Sequence, residues 1–309
     1  MTILLTVFPL LISTRDDSVI PKVQATNVIE ANNTVASSSI INSIVTKIVK
    51  VDDIEVAYKV FGKGEPLFLI PGFSQTMDMW DPIVLHTLSS NHTIIIFDNR
   101  GIGDTTAGSK APSIQQFAND TAALIDELGF KIPVDILGLS MGGFIAQELT
   151  LLHPEKVDRL IILASSCGGK QSLPPQVSSE VMTSMVSGNA TIDTFASTLF
   201  PNEWIREHTD YIQRNLVLPM DKVSKESLKL QFEANSKWTG TCNRLSTITK
   251  PTLVISGTED ITSPPVNSVR IAEKIPGAWL VQIKGGGHGV MFQYPQQFAS
   301  ILETFLSVN

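Results

Sequence analysis

Residues 134–153 read VDILGLSMGGFIAQELTLLH, and this stretch decides the fold. Its first six residues form a mostly apolar run with the length of a buried strand, and the residues from Met141 onward favour a helix. Between them, Ser140 lies in a G-x-S-x-G motif whose glycines would let the helix pack closely on the strand. A turn this sharp would expose the serine hydroxyl as a nucleophile. Because so short a motif also occurs by chance, a hydroxyl in an ordinary tight turn is the alternative.

Similar strands occur on both sides of the motif. Five short apolar runs end in turn residues, as strands buried on both faces do: PLFLIPG, TIIIFDNRG, VDILGLS, LIILASS and PTLVISGTED. Helical patterns separate them, one of which has Ser113 as a candidate N-cap and Gly129 as its stop. Further upstream, SIVTKIVKV and IEVAYKVF alternate apolar and polar residues and predict an antiparallel hairpin. Strands that alternate with helices predict an α/β fold with a mostly parallel, doubly wound sheet.

The alternation stops between Cys167 and Ile248, where helical fragments such as SSEVMTSMVSG and EWIREHTDYIQRNLV replace it. We therefore predict a core of residues 44–166 and 249–309, with a helical lid inserted at 167–248. Large apolar side chains in the lid are expected to form its own core and, in part, a pocket for an acyl or alkyl group: Met182, Met185, Phe195, Phe200, Trp204 and Trp238.

A serine nucleophile needs a general base, and ligands of an open parallel sheet bind beyond the carboxyl ends of its strands. His288 stands in the glycine-rich turn KGGGHGVMF after a late strand, which makes it the candidate base. A carboxylate should orient this histidine. Asp260, in GTEDITSP after the preceding strand, fits that role, and its neighbour Glu259 is the alternative. The order Ser140, Asp260, His288 is the one expected when the serine lies in a strand-to-helix turn.

Two backbone amides are candidates for stabilising an oxyanion. The amide of Met141 follows the serine at the positive N-terminus of the predicted helix. The amide of Phe73 lies in LFLIPGFSQTMDMW, where Gly72 permits an unusual turn after the third strand. The alternative for this second loop is a Pro-Gly turn with only a structural part.

With these motifs in order, the chain resembles the α/β-hydrolase fold family, in particular its capped esterases and perhydrolases. The resemblance covers about residues 50 to 305 and is carried by PGF before a helix with Trp80, FDNRGIGDT, GLSMGG, GTEDITSP and GGGHG. Family members usually have His-Gly where this chain has Pro71-Gly72, and Ser where it has Thr105. In the family, Asp98 and Arg100 of the FDNRG loop would brace the site through ion pairs and turns.

The resemblance and the candidate residues together indicate a serine hydrolase that cleaves carboxylic esters of small to medium apolar substrates through an acyl-enzyme. Two alternatives stay open. One is a cofactor-free perhydrolase of the haloperoxidase kind, in which hydrogen peroxide replaces water. The other is a ligand-binding member of the fold with low turnover. An aspartate nucleophile, as in epoxide hydrolases and haloalkane dehalogenases, is argued against by Ser140 itself.

Composition narrows the function further. The 309 residues carry a net charge of −7 and have a pI near 5.3, and no run of basic residues interleaved with aromatic ones is present, which argues against nucleic-acid binding. The two cysteines cannot form a zinc cage and lack a C-x-x-C partner. We expect no metal and no cofactor, and a small-molecule ester as the binding partner.

Cys167 and Cys242 lie at the two hinges of the predicted lid. The strands entering and leaving the lid should be neighbours in the sheet, so the two α-carbons could lie within disulfide reach. Such a bond would clamp the base of the lid in an exported protein. The alternative is a pair of half-buried free thiols.

The N-terminal residues 1–43 predict a flexible leader that resembles a signal peptide in part. MTILLTVFPLLIS has the length of a signal-peptide apolar region, and VQA could end a cleavage site at Ala25, but no Lys or Arg precedes the apolar run. The Ser-, Thr- and Asn-rich segment that follows cannot bury enough surface to order itself. The sequence thus leaves exported, membrane-associated and cytoplasmic localisation open.

Overall fold

The computed structural model describes residues 43–216 and 223–308, so the predicted leader lies outside the described residues apart from Ser43. Its centre is an eight-stranded sheet in the order β1-β2-β4-β3-β5-β6-β7-β8. The strands are β1 Lys47–Val51, β2 Ile54–Gly62, β3 Glu65–Ile70, β4 His92–Phe97, β5 Val134–Leu139, β6 Val157–Leu163, β7 Thr252–Gly257 and β8 Trp279–Ile283. The β1–β2 and β2–β4 pairs are antiparallel, and the pairs from β4 through β8 are parallel. Both the predicted hairpin and the mostly parallel sheet are confirmed.

Helices cover both faces of this sheet. The helices of the core are α1 Pro82–Leu88, α2 Ile114–Glu127, α3 Met141–Leu152, α9 Val266–Lys274, α10 Val290–Gln293 and α11 Pro295–Leu306. Side chains of α2, α3 and α9 belong to one buried apolar cluster, and side chains of α1, α10 and α11 belong to another on the opposite face. Because both faces are covered, β5 is buried along its whole length.

Local signals set the ends of the helices that were predicted from them. The hydroxyl of Ser113 accepts a hydrogen bond from the amide of Gln116 at 3.0 Å, which caps α2 as expected. Gly129 follows the last turn of α2 with φ +82°, in the left-handed region that glycine adopts without a steric penalty.

The segment predicted as a lid lies between β6 and β7, and we call residues 167–248 the helical insertion. Its described helices are α4 Ser179–Ser187, α5 Ile192–Leu199, α6 Asn202–Glu207, α7 Thr209–Asn215 and α8 Lys225–Lys237. The described part of the fragment EWIREHTDYIQRNLV, residues 203–216, forms two helices instead of one, because the backbone of His208 leaves the helical conformation between α6 and α7.

The two ends of the insertion are joined at its base. A disulfide connects Cys167 to Cys242, with their α-carbons 4.9 Å apart. The sequence left a disulfide and two free thiols open, and the structure has the disulfide. Beside it, the amide of Thr241 donates to the carbonyl of Cys167 at 2.8 Å.

The carboxylate of Glu148 on α3 is fully buried. It accepts a hydrogen bond from Trp238 at 2.8 Å and from Arg244 at 2.6 Å. The exit of the insertion is thus tied to the helix that follows Ser140.

Within the described residues, none of the helices has the length and apolar character needed to cross a membrane.

Candidate active site

The order in which the chain adds strands to the sheet reverses between the parallel strands β3 and β5. These two strands are neighbours, and the chain leaves β3 toward β4 on one side and β5 toward β6 on the other. Such a switch point opens a crevice beyond the carboxyl ends of the two strands, where open α/β sheets bind their ligands. The loop with Gly72 and Phe73 follows β3, and Ser140 follows β5. The candidate nucleophile and one candidate oxyanion donor therefore flank this crevice.

Ser140 has an unusual backbone conformation. Its φ is +55° and its ψ is −116°, outside the regions that residues with a Cβ ordinarily occupy. Hydrogen bonds fix both sides of the residue: its amide donates to Leu163 O at 2.9 Å, and its carbonyl accepts from Ser165 Oγ at 2.7 Å. Strain of this kind persists only where the surrounding structure over-determines it, and it concentrates at functional sites.

Close packing under the turn explains two of the glycines in GLSMGG. A Cβ on Gly142 would overlap the carbonyl oxygen of Ile70 at the end of β3, and a Cβ on Gly138 would overlap the carbonyl of Gly142. Helix α3 begins at Met141, so the amide of this residue is among the first-turn N–H groups that have no acceptor within the helix. The turn thus combines an outward serine with a backbone donor beside it.

Asp260 and His288 are brought together at the same edge of the sheet. Asp260 follows β7 and His288 follows β8, and His288 Nδ1 donates to Asp260 Oδ2 at 2.8 Å. The other carboxylate oxygen accepts from the amides of Thr262 at 2.9 Å and Ser263 at 2.7 Å. Both side chains are buried, whereas Glu259, the alternative acid, is exposed. The carboxylate that contacts the histidine is therefore that of Asp260.

With Nδ1 engaged by Asp260, the Nε2 lone pair of His288 is the one that could accept a proton. Among the described residues, Ser140 Oγ and His288 Nε2 do not share a hydrogen bond. The hydrogen bond between a catalytic nucleophile and its general base is often long in the free enzyme and shortens when substrate is bound. The structure thus joins two members of the predicted triad directly and places the third at the end of β5, two strands away from β7.

The FDNRG loop makes ion pairs and turn hydrogen bonds, which are the kinds of contact that the family resemblance implies. Burial raises the pKa of Asp98 to about 6, and its two oxygens accept from the amides of Met77 at 2.7 Å and Asp104 at 3.0 Å. The buried guanidinium of Arg100 pairs with Asp53 and Asp120, both at 2.7 Å, and its hydrogen bonds hold the pKa of Asp53 well below the usual range.

The helical insertion contacts the loops that carry Asp260 and His288. Thr262 Oγ1 donates to Thr198 O at 2.6 Å, and the amide of Gly289 donates to Leu199 O at 2.8 Å. The end of α5 thus holds both loops at once.

The large apolar side chains of the insertion divide between two places. One buried cluster contains Met185, Phe195 and Phe200 together with Met79 from the loop after β3. In it, the ring centroids of Phe200 and Trp204 lie 4.5 Å apart. Trp238 instead stacks on Phe144 of α3 at 4.5 Å, in the main core. Met182 is half-buried.

Sequence reasoning missed one residue that touches the candidate oxyanion loop. Gln231 Oε1, on α8, accepts from the amide of Ser74 at 2.6 Å across 157 residues of chain. A lone glutamine in a helix carries no motif, so no local signal could have identified it.

Among the described residues, no group of His, Cys, Asp and Glu could hold a metal ion.

Comparison with known proteins agrees with this architecture. The family model of the alpha/beta hydrolase fold matches residues 65–295. A Mycobacterium tuberculosis protein, provisionally named non-heme bromoperoxidase BpoC, is 30% identical over 270 residues, covering 83% of this chain and 99% of the relative. The pimeloyl-[acyl-carrier protein] methyl ester esterase of Aeromonas hydrophila is 27% identical over 262 residues, covering 81% of this chain and 99% of the relative.

Among solved structures, an esterase from Rhodococcus sp. ECU1013 superimposes with a TM-score of 0.74 at 23% identity, covering 86% of this chain and 98% of that one. At this identity the likeness concerns the fold. The family match spans most of the chain and contains the elements that carry Phe73, Ser140, Asp260 and His288. The chain therefore belongs to the α/β-hydrolase family and is a hydrolase of that fold.

Proposed function

We propose that the protein is a serine esterase that cleaves small to medium apolar carboxylic esters through an acyl-enzyme. The observation that carries this proposal is the strained Ser140, which the chain holds at φ +55° at the N-terminus of α3. A non-glycine residue in such a conformation has an energetic cost that a structural turn would avoid. The esterase among the relatives supports the ester as substrate class.

In the proposed reaction, Ser140 Oγ attacks the ester carbonyl while His288 Nε2 takes its proton. Asp260 holds the imidazole in the required tautomer and stabilises the imidazolium. The amides of Phe73 and Met141 donate to the oxyanion of the tetrahedral intermediate. The ester C–O bond then breaks as His288 protonates the leaving alcohol. A water molecule that gives its proton to His288 attacks the acyl-enzyme, and the carboxylic acid leaves as the proton returns to Ser140 Oγ.

Replacement of the nucleophile tests the proposal. Ser140→Ala should lower kcat on p-nitrophenyl acyl esters by about three to six orders of magnitude, with its melting temperature nearly unchanged. It should also abolish labelling by a fluorophosphonate. The matched control is Ser300→Ala, which removes an exposed hydroxyl on α11 and should leave both readouts as in the wild type. A folded Ser140→Ala protein with near-normal turnover would refute the assignment.

A second candidate function is perhydrolysis, favoured by the relative named as a bromoperoxidase. Only the last nucleophile differs, because hydrogen peroxide would replace water on the same acyl-enzyme. Peroxide-dependent halogenation in acetate buffer separates the two activities. Good ester turnover without halogenation would remove this candidate.

A binding protein of the same fold, with little turnover, is the alternative from another functional class. It would keep the site for ligand capture. Rapid labelling of Ser140 by a fluorophosphonate together with multiple turnovers on any ester of the p-nitrophenyl series speaks against it.

A further inference from the structure

The insertion contacts the candidate oxyanion loop through one face of α8. Gln231 Oε1 accepts from the amide of Ser74 at 2.6 Å, and Gln231 is only 2% exposed. One residue further along α8, the Phe232 ring contacts the edge of Phe73, with 6.3 Å between ring centroids. Phe73 also packs against a small buried cluster to which Leu228 of the same helix belongs. The loop after β3 and α8 therefore form one packed unit.

Hydrogen bonds from both sides hold this loop in an unusual backbone conformation. Ser74 is fully buried and has φ +62°, which a residue with a Cβ adopts only when its surroundings enforce it. The amides on both sides of Phe73 donate to glutamine side chains: that of Gly72 to Gln75 Oε1 at 2.9 Å, and that of Ser74 to Gln231. These two hydrogen bonds hold the peptide groups that flank the Gly72–Phe73 peptide, and they thereby restrict the backbone from which the Phe73 N–H is presented.

The contact buries polar atoms that have no hydrogen-bond partner in the protein, which an apolar contact would avoid. In the part of the chain that the structure describes, Ser74 Oγ, Gln231 Nε2 and Asn235 Oδ1 are buried without a hydrogen-bond partner. The amide of Ser74 is a donor, so Gln231 must present its oxygen and leave its NH2 group unmatched. An apolar helix face would bury the same area without this cost. Local rules broken in this way concentrate at functional sites.

We propose that Gln231 is a positioning residue, through which the helical insertion sets the Phe73 amide in the oxyanion-binding conformation. The inference rests on the proposed function. It makes an insertion residue, distant in sequence from the core motifs, part of the machinery that stabilises the transition state. Removing its acceptor should affect the chemical step more than substrate binding.

Three variants of α8 test this role in the full-length protein. Gln231→Met keeps the side-chain length and removes the acceptor, and should lower kcat at least about tenfold with KM changed less than about twofold. Gln231→Glu keeps an acceptor oxygen, and a carboxyl buried here is expected to stay protonated, so kcat should remain within about threefold of the wild type. Glu233→Gln, which alters only an exposed ion pair with Lys237, is the control.

Fluorophosphonate labelling rates give a second measure, because the phosphoryl oxygen of the probe occupies the oxyanion position. The rate should fall in Gln231→Met in proportion to kcat and recover in Gln231→Glu. A labelled wild type whose Gln231→Met variant reacts equally fast overturns the inference alone. The inference is also overturned if Gln231→Met and Gln231→Glu lose kcat to the same extent and melting temperature to the same extent, because that result indicates a purely structural contact. A wild type that is neither labelled nor active on esters overturns the proposed function and this inference together.

Discussion

Removal of the Cys167–Cys242 disulfide should lower the stability of the fold by a predictable amount. The bond closes a loop with a sequence separation of 75. In the chain-entropy model, opening a loop of that size returns about 15 cal/mol/K to the unfolded chain, or about 4.5 kcal/mol at 25 °C. In the folded protein the two ends already lie together, since the amide of Thr241 donates to Cys167 O at 2.8 Å. The crosslink therefore constrains mainly the unfolded state.

The corresponding change in melting temperature follows from the size of the chain. An unfolding entropy of about 2.1 cal/mol/K per residue, summed over the roughly 260 residues that the structure describes, converts about 4.5 kcal/mol into a decrease of about 8 °C. The assay is thermal unfolding of the oxidised wild type, the reduced wild type and the Cys167→Ser/Cys242→Ser double variant. The last two should melt at similar temperatures, and reductant should not affect the double variant.

Alkylation followed by mass spectrometry supplies the control for the bond itself. Protein purified without reductant should show no alkylatable thiol before reduction and two after it, because Cys167 and Cys242 are the only cysteines in the sequence. Melting of oxidised and reduced wild type within about 1 °C of each other would refute the entropic argument. Two alkylated thiols in the unreduced, denatured protein would refute the bond.

Two further perturbations test the packing under the serine turn and the burial of a carboxyl in the sheet. Gly142→Ala would push a Cβ into the carbonyl of Ile70 and should lower the free energy of unfolding by about 1–3 kcal/mol or more. Gly129→Ala is the control, because the added Cβ meets open space there and only the φ of +82° opposes it. Equal melting temperatures for the two alanine variants would contradict this account. Burial raises the pKa of Asp135 on β5 to about 6, despite Arg159 at 3.4 Å. A carboxyl with a raised pKa in the folded state binds its proton more tightly there, so its contribution to stability is present below about pH 4 and is lost as pH rises through about 6. The free energy of unfolding from urea titrations should therefore fall less between pH 4 and pH 7 in Asp135→Asn than in the wild type, and an identical pH slope in both proteins would contradict the assignment.

Much of the fold could be predicted because its signals are local. A strand buried on both faces is a short apolar run, and Ser113 and Gly129 mark the ends of α2 through their own backbone chemistry. Ser140, Asp260 and His288 could be proposed because each follows such a strand, and the carboxyl ends of parallel strands meet at one edge of the sheet. The break at His208, by contrast, has no Pro or Gly to announce it.

The sequence by itself determined which strands and helices follow one another along the chain, where the insertion lies and which turn holds Ser140. These features depend on residues that are close together in the chain. Only the tertiary structure decided that Asp260, and not the adjacent Glu259, contacts His288. It also decided the pairing of the cysteines and the contact of Gln231 with Ser74, 157 residues away. Contacts of this range depend on how separately formed elements dock. The spacing of apolar residues indicates which face of a helix is buried, and it does not specify the side chain that this face will meet.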